Sequence, residues 1–189
     1  MNKTIILLTL SDILVLTGFG LIQPILAIFI KENLVGGTIF AAGVASMTFI
    51  IVKSVVQIPL SKIVDRRKRS FRIKIVVLGT FLISIVPFIY ILSNHVNFIY
   101  IAQILHGLGS GLSFPSWVGI WSKCSDISQR SYHWSLYSTL TGIGTGAAAL
   151  IGASIAELFG FVYTFIIVGV MSLFGCFILL VLETKENPA

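Results

Sequence analysis

Long stretches almost free of charge alternate with short polar connections along the whole chain. A helix that crosses a bilayer needs ~20 apolar residues, and six stretches of about that length follow one another at 5–30, 37–60, 75–92, 98–122, 131–156 and 158–182. They predict an all-α transmembrane protein, a six-helix bundle forming a single domain over residues 1–189. The last four stretches contain no Asp, Glu, Lys or Arg, whereas the first two hold one each, Asp12 and Lys53. The first stretch is too long for a signal peptide, and no small-residue cleavage site follows it.

Helical periodicity places the polar residues of these stretches on common faces. Asp12, Phe19 and Gln23 share one on the first span, Ser46, Phe49, Lys53 and Gln57 one on the second, and Gln103, His106, Ser110 and Trp117 one on the fourth. Ionisable groups inside a membrane are expensive, so each is a functional candidate. Asp12 and Lys53 each stand nine residues from the nearest basic boundary, Lys3 and Lys62, or ~13 Å at the helical rise. Equal depth on adjacent antiparallel spans predicts a mutual ion pair. Such a pair is either structural or, if the surroundings of Asp12 change, a carrier of protons. His106 reads either as a packing residue or as a relay. Pro24, Pro59, Pro87 and Pro115 are expected to kink or end helices.

Composition agrees with this reading. The chain is 56% hydrophobic and 11% charged, with a mean hydropathy of +1.00. A soluble domain carries roughly a quarter charged residues, so a water-soluble enzyme is excluded. The net charge of +6 would fit a nucleic-acid partner, but its distribution does not. Lys62, Arg66, Arg67, Lys68, Arg69, Arg72 and Lys74 crowd one connection, without the interleaved aromatics of a nucleic-acid surface. With the N-terminus inside, eleven basic residues fall on the inner side, these seven plus Lys3, Lys123, Arg130 and Lys185, against Lys31 alone outside. The positive-inside rule then makes both termini cytoplasmic. Trp117, Trp121, Tyr132, Trp134 and Tyr137 gather at the inner fourth-to-fifth connection, as an interfacial aromatic belt would. Cys124 and Cys176 lie at depths too different for a disulfide.

The basic connection carries Ser61-Lys-Ile-Val-Asp65-Arg66-Arg67-Lys68-Arg69, which resembles the Gly-x-x-x-Asp-Arg-x-Gly-Arg-Lys signature of the major facilitator superfamily, with Ser61 and Lys68 in place of glycines. Gly18-Phe-Gly20-Leu-Ile-Gln-Pro24-Ile-Leu is similar to the Gly-x-Gly-x-x-x-Pro-x-Leu pattern of its first span. Related drug exporters often carry an Asp where Val15 stands, and Asp12 lies one turn earlier. Gln103-Ile-Leu-His106-Gly107-Leu-Gly109 resembles Arg-x-x-x-Gly-x-Gly without the arginine associated with proton coupling. Gly144-x-x-x-Ala148-Ala149-x-x-Gly152-Ala153 resembles an antiporter signature without its proline, and Gly160-Phe161-Val-Tyr-Thr-Phe165 is similar to the start of the sixth span. The resemblance is to the N-terminal half of such a transporter. It implies that Phe19, Gln23, Ser46, Gln57, Gln103, His106, Ser110 and Trp117 line a substrate cavity. It also implies that Ser61, Asp65, Arg66 and Arg69 form a gating loop; holding the loop inside by contact with anionic lipid is the plainer alternative.

Family members normally have two such halves related by an axis along the membrane normal. The expected partners are therefore the lipid bilayer, a small-molecule substrate, protons as one alternative, and either a second copy of the chain or a separate second half. Small residues let helices approach closely in lipid. On the fifth span Gly142, Gly146, Ala149, Ala153 and Ala156 make one stripe and Gly144, Ala148 and Gly152 another, each available to a dimer interface or to packing within the protomer. No catalytic constellation, metal-ligand spacing, cofactor motif or nucleic-acid partner is read from the chain. The expected function is secondary transport by alternating access as a parallel homodimer. The alternatives are one half of a split or truncated twelve-helix transporter, and a non-transporting membrane scaffold.

Overall fold

The computed structural model describes residues 3–124 and 127–186. The side chains of Lys3 and Lys185, counted above for orientation, lie outside the described residues. Seven α-helices follow in order: α1 (Lys3–Ile22), α2 (Leu26–Asn33), α3 (Ile39–Asp65), α4 (Arg69–Leu92), α5 (Val96–Cys124), α6 (Arg130–Phe159) and α7 (Phe161–Glu186), with one 3₁₀ turn at Ile127–Gln129 before α6. The first expected span is thus two helices. A turn at residues 23–25 separates them, where Pro24 offers no N–H and crowds the preceding carbonyls. Pro59, Pro87 and Pro115 are instead accommodated inside α3, α4 and α5.

The helices also run past the apolar stretches at the basic end. Because α3 continues to Asp65 and α4 begins at Arg69, the expected basic connection shrinks to residues 66–68. Lys and Arg are good helix formers, so nothing in that segment stops a helix early. At the other ends the stops are local. Thr38 Oγ1 accepts from the Ala41 N–H at 2.9 Å and caps α3. Gly160, at φ +94, takes a backbone conformation that other residues avoid and lets α7 start directly after α6.

Among the described residues, five helices are long and apolar enough to cross a membrane by length and composition: α1, α3, α4, α6 and α7. The 29-residue α5 is more polar because it carries the Gln, His, Ser and Gly positions of the fourth run. Close crossings are made at small residues. Gly107 and Gly111, one turn apart on α5, meet α3 at Val52 and Val56, while Gly109 between them meets the backbone of Gly79 on α4. A Cβ on Gly109 would lie 2.6 Å from the Gly79 carbonyl oxygen, so the α4–α5 crossing requires that glycine. Packing brings α4 onto α5 and α7, α1 onto α6 and α7, and α3 onto α5. This leaves α3 and α6 as flanks: 17% and 11% of their most apolar stretches are buried, against 44% in α1, α4 and α7.

Candidate functional site

Inside the bundle lies a cavity of about 530 Å³, lined by residues from all seven helices, with Leu179 the contribution of α7. The expected cavity residues Phe19, Gln23, Ser46, Gln103, His106, Ser110 and Trp117 line it, together with Asp12 and Lys53. Gln57 does not. The lining from α3 ends at Lys53, one turn before Gln57, while α5 goes on lining the space through Ser113, Phe114 and Trp117. The Ser46 hydroxyl donates to the Ala42 carbonyl at 3.1 Å, so its proton is used within its own helix.

The expected ion pair is not made. Asp12 accepts a hydrogen bond from the Tyr137 hydroxyl of α6, and Lys53 Nζ faces two rings, 5.1 Å from the Phe114 centroid and 5.9 Å from that of Phe49. Cation–π contacts of this kind hold an ammonium without neutralising it. Helix packing explains the change of partner. The α1 and α6 helices cross closely at Gly20 against Thr145 and at Gly152 against Leu21, and this brings a tyrosine 125 residues away in sequence onto the carboxylate.

Around Asp12 the aromatic residues form a contact cluster. The Tyr137 ring lies 5.0 Å from Trp117 and 5.5 Å from Trp134, which lies 5.3 Å from Trp121. Trp117 and Trp121 are buried, and Trp117 Nε1 donates to the Leu8 carbonyl at 3.3 Å. This corrects the expected belt: Tyr132 and Trp134 are exposed, but two of the five rings are core. Further along, His106 is held between Phe19 and Phe49, 4.4 Å from each centroid. Near the opposite end Gln103 Nε2 donates to Tyr90 Oη at 3.2 Å, so a neutral pair occupies the position where the resembling pattern has arginine.

The small-residue stripes of α6 have separate surroundings. Gly144 faces Thr17 and Gly152 the Leu21 backbone, and Ala148 is buried, so this stripe packs on α1 within the chain. Gly142 and Gly146 meet nothing within 4 Å, while Ala153 and Ala156 touch the edge of the core. In the basic turn Ser61 donates to the Ile58 carbonyl at 2.7 Å, Arg66 caps α3 through its backbone N–H, and Arg69 Nη2 donates to Thr4 Oγ1 at 2.5 Å. The Asp65 side chain is exposed.

One residue here was missed by the sequence reading. Arg72, counted with the basic loop, is a buried member of α4 at 2% exposure. It donates from Nη2 to the Asp65 carbonyl at 3.1 Å, from Nη1 to Gly119 at 3.0 Å and from Nε to Arg67 at 3.3 Å. It thereby ties the end of α3, the turn and α5 to α4. Its place in a run of basic residues concealed it, and only its i, i+4 spacing to the apolar Val76 hinted at a buried face.

A family model described as Major Facilitator Superfamily matches residues 8–189. Quinolone resistance protein NorA of Staphylococcus aureus is 22% identical over 158 residues, which cover 84% of this chain and 39% of that protein. An uncharacterized MFS-type transporter of Methanocaldococcus jannaschii is 21% identical over 178 residues, 94% of this chain and 45% of its own. The chain spans less than half the length of these curated relatives. Apolar helices crossing at glycines around a polar cavity, and a family match that runs from the first helix to the last residue, make this chain an integral multi-pass membrane protein that belongs to the Major Facilitator Superfamily.

Proposed function

We propose that this chain is a secondary transporter unit for small amphipathic solutes, not an enzyme, that works by alternating access. The observation that carries the reading is the 530 Å³ cavity, large enough for a small organic molecule and lined by aromatic rings with a few polar groups. In this reading α1 with α2 forms the first of six spans and α5 the fourth, and the basic turn with both termini faces the cytoplasm. The relative named for quinolone resistance makes a quinolone a fitting first probe.

The unit is completed by a second one seated against the flanks α3 and α6. Their low burial and the bare Gly142 and Gly146 support this. A second copy in parallel orientation is the leading arrangement, because two-fold pairing is the commonest oligomer geometry; a separate second half is the alternative. The exposed Asp65 with Arg66 would meet that partner as a gate. Asp12 is the proposed proton site, acting with Tyr137 rather than Lys53.

Purified protein reconstituted into vesicles should accumulate or release a quinolone, and an imposed pH gradient should change the rate. Asp12→Asn should abolish the response to the gradient; if the response survives, Asp12 is not the proton site. Absence of transport at any gradient would support a scaffold, the reading that the neutral Gln103–Tyr90 pair favours. Protein mass in mild detergent should be twice 20.6 kDa for the homodimer, and a stable monomer points to a separate half.

A further inference from the structure

Among the described residues that line the cavity, Asp12 and Lys53 are the only Asp, Glu, Lys or Arg, and they do not neutralise each other. Asp12 has a neutral phenol as its partner. Lys53 Nζ has only the faces of Phe49 and Phe114. A single charge left without a counter-charge in a low-dielectric setting is strongly unfavourable, and here one of each sign opens into the same space. The rings of Phe19, Phe49, Phe114 and Trp117 line the same space.

We infer that the cavity is built for a zwitterion: an aromatic or otherwise flat apolar body with an ammonium placed at Asp12 and a carboxylate or similar anion placed at Lys53. The inference rests on the transporter reading for its biological meaning, but its physical basis is separate. A plain cation drawn to Asp12 would share the cavity with the Lys53 ammonium, and a plain anion drawn to Lys53 would share it with the Asp12 carboxylate. Like-charge juxtaposition of that kind works against binding. A molecule bearing both charges supplies each group with the partner the protein withholds. Its ammonium would also face Trp117 and Tyr137, whose rings add cation–π attraction. The other titratable groups facing the cavity, His106, Tyr90 and Tyr137, are each engaged by a ring or a hydrogen bond.

The test is calorimetric binding to the full chain in lipid nanodiscs, with para-aminomethylbenzoate and its biphenyl homologue as zwitterions. Each is compared with its carboxamide, which lacks the anion, its N-acetyl derivative, which lacks the cation, and the doubly blocked compound. The better-fitting zwitterion should bind at least about tenfold more tightly than either singly charged analogue, as expected for one charge-assisted contact. Lys53→Gln should remove its advantage over the carboxamide, and Asp12→Asn its advantage over the N-acetyl compound. Equal binding of the carboxamide and the zwitterion would reassign the cavity to cations, and equal binding of the doubly blocked compound would make both charges irrelevant. Either result overturns the proposal, as does the absence of binding by every member. The ligand series on the unaltered protein decides the matter even if a variant fails to fold. Charge-selective binding without quinolone transport overturns the transport reading and leaves this one standing; transport without charge selectivity does the reverse.

Discussion

Two of the described cations, Arg72 and Lys53, have surroundings that differ in kind. Arg72 is buried where α3, α4 and α5 converge and spends its guanidinium on three backbone carbonyls. Lys53, on the flanking helix α3, reaches into the cavity and rests on two aromatic faces. The planar fork of arginine suits the first task, because it can satisfy several fixed acceptors at once, whereas an ammonium on a flexible stem suits an open site. The same division separates the molecule into a packed side, where glycines have close partners, and an open side of α3 and α6, where Gly43, Gly142 and Gly146 meet nothing within 4 Å. The packed side is where substitutions should damage the fold.

The largest effect is expected at Arg72. Arg72→Leu leaves three carbonyls without their charged donor, and hydrogen bonds to charged groups contribute about 1.5–3 kcal/mol each before non-additivity. A loss of roughly 3 kcal/mol or more should appear in denaturant titration of the detergent-solubilised protein. A loss under about 1 kcal/mol would remove the distinction between the two cations. Gly152→Ala comes next. The added Cβ would overlap the Leu21 carbonyl oxygen and lie 2.7 Å from its carbonyl carbon, so α1 and α6 must separate. Overpacking against backbone costs about 1–3 kcal/mol. Because that crossing also delivers Tyr137 to Asp12, the variant should lose the tyrosine-to-carboxylate hydrogen bond, seen as a shift in the Tyr137 ultraviolet absorption.

The sequence carried the outline of this division but not its contents. Runs without charge located the helices, because that signal is local, but the four named prolines read alike, and of these Pro24 stands at a break while Pro59, Pro87 and Pro115 lie inside helices. Helical stripes reached Phe19, Gln103, His106 and Ser110 because residues at turn spacing share a face whatever they face. The stripe on α3 overran at Gln57, since periodicity does not say which turns of a face reach the cavity. Depth along the membrane made Asp12 and Lys53 look like partners, but depth is one coordinate of three. The rotation of α1 against α6, set by Gly20 and Gly152, is what assigned Tyr137 instead. Arg72 was hidden for the same reason: a basic residue in a basic run reads as solvated until the crossing of three helices encloses it.

Lys53→Gln should have a smaller effect on stability than either Arg72→Leu or Gly152→Ala. It removes cation–π contacts worth about 0.5–1 kcal/mol each at exposed sites, and it also removes an ammonium without a counter-ion, whose loss is often neutral or favourable. The net change should stay within about 1 kcal/mol in the same titration. A drop comparable to that of Arg72→Leu would place Lys53 with the structural cations and remove the basis for a ligand-facing charge.

The smallest effect is expected at Gly146. A Cβ there meets nothing within 4 Å, so Gly146→Ala adds no clash. The usual gain in helix propensity is also muted, because a membrane-spanning chain must satisfy its backbone as a helix whether or not it is packed. The stability of the isolated chain should therefore change by no more than about 0.5 kcal/mol. The informative variant is larger. Gly146→Leu has the same open space within the chain and should leave the detergent titration equally unmoved, but a leucine on a small-residue stripe holds an opposing helix away. If a second unit seats on the open side, cross-linking of the protein in vesicles should fall in Gly146→Leu and persist in Gly146→Ala. If both variants cross-link like the parent chain, the bare stripe of α6 faces lipid, and the flank that receives the second unit must be α3 alone.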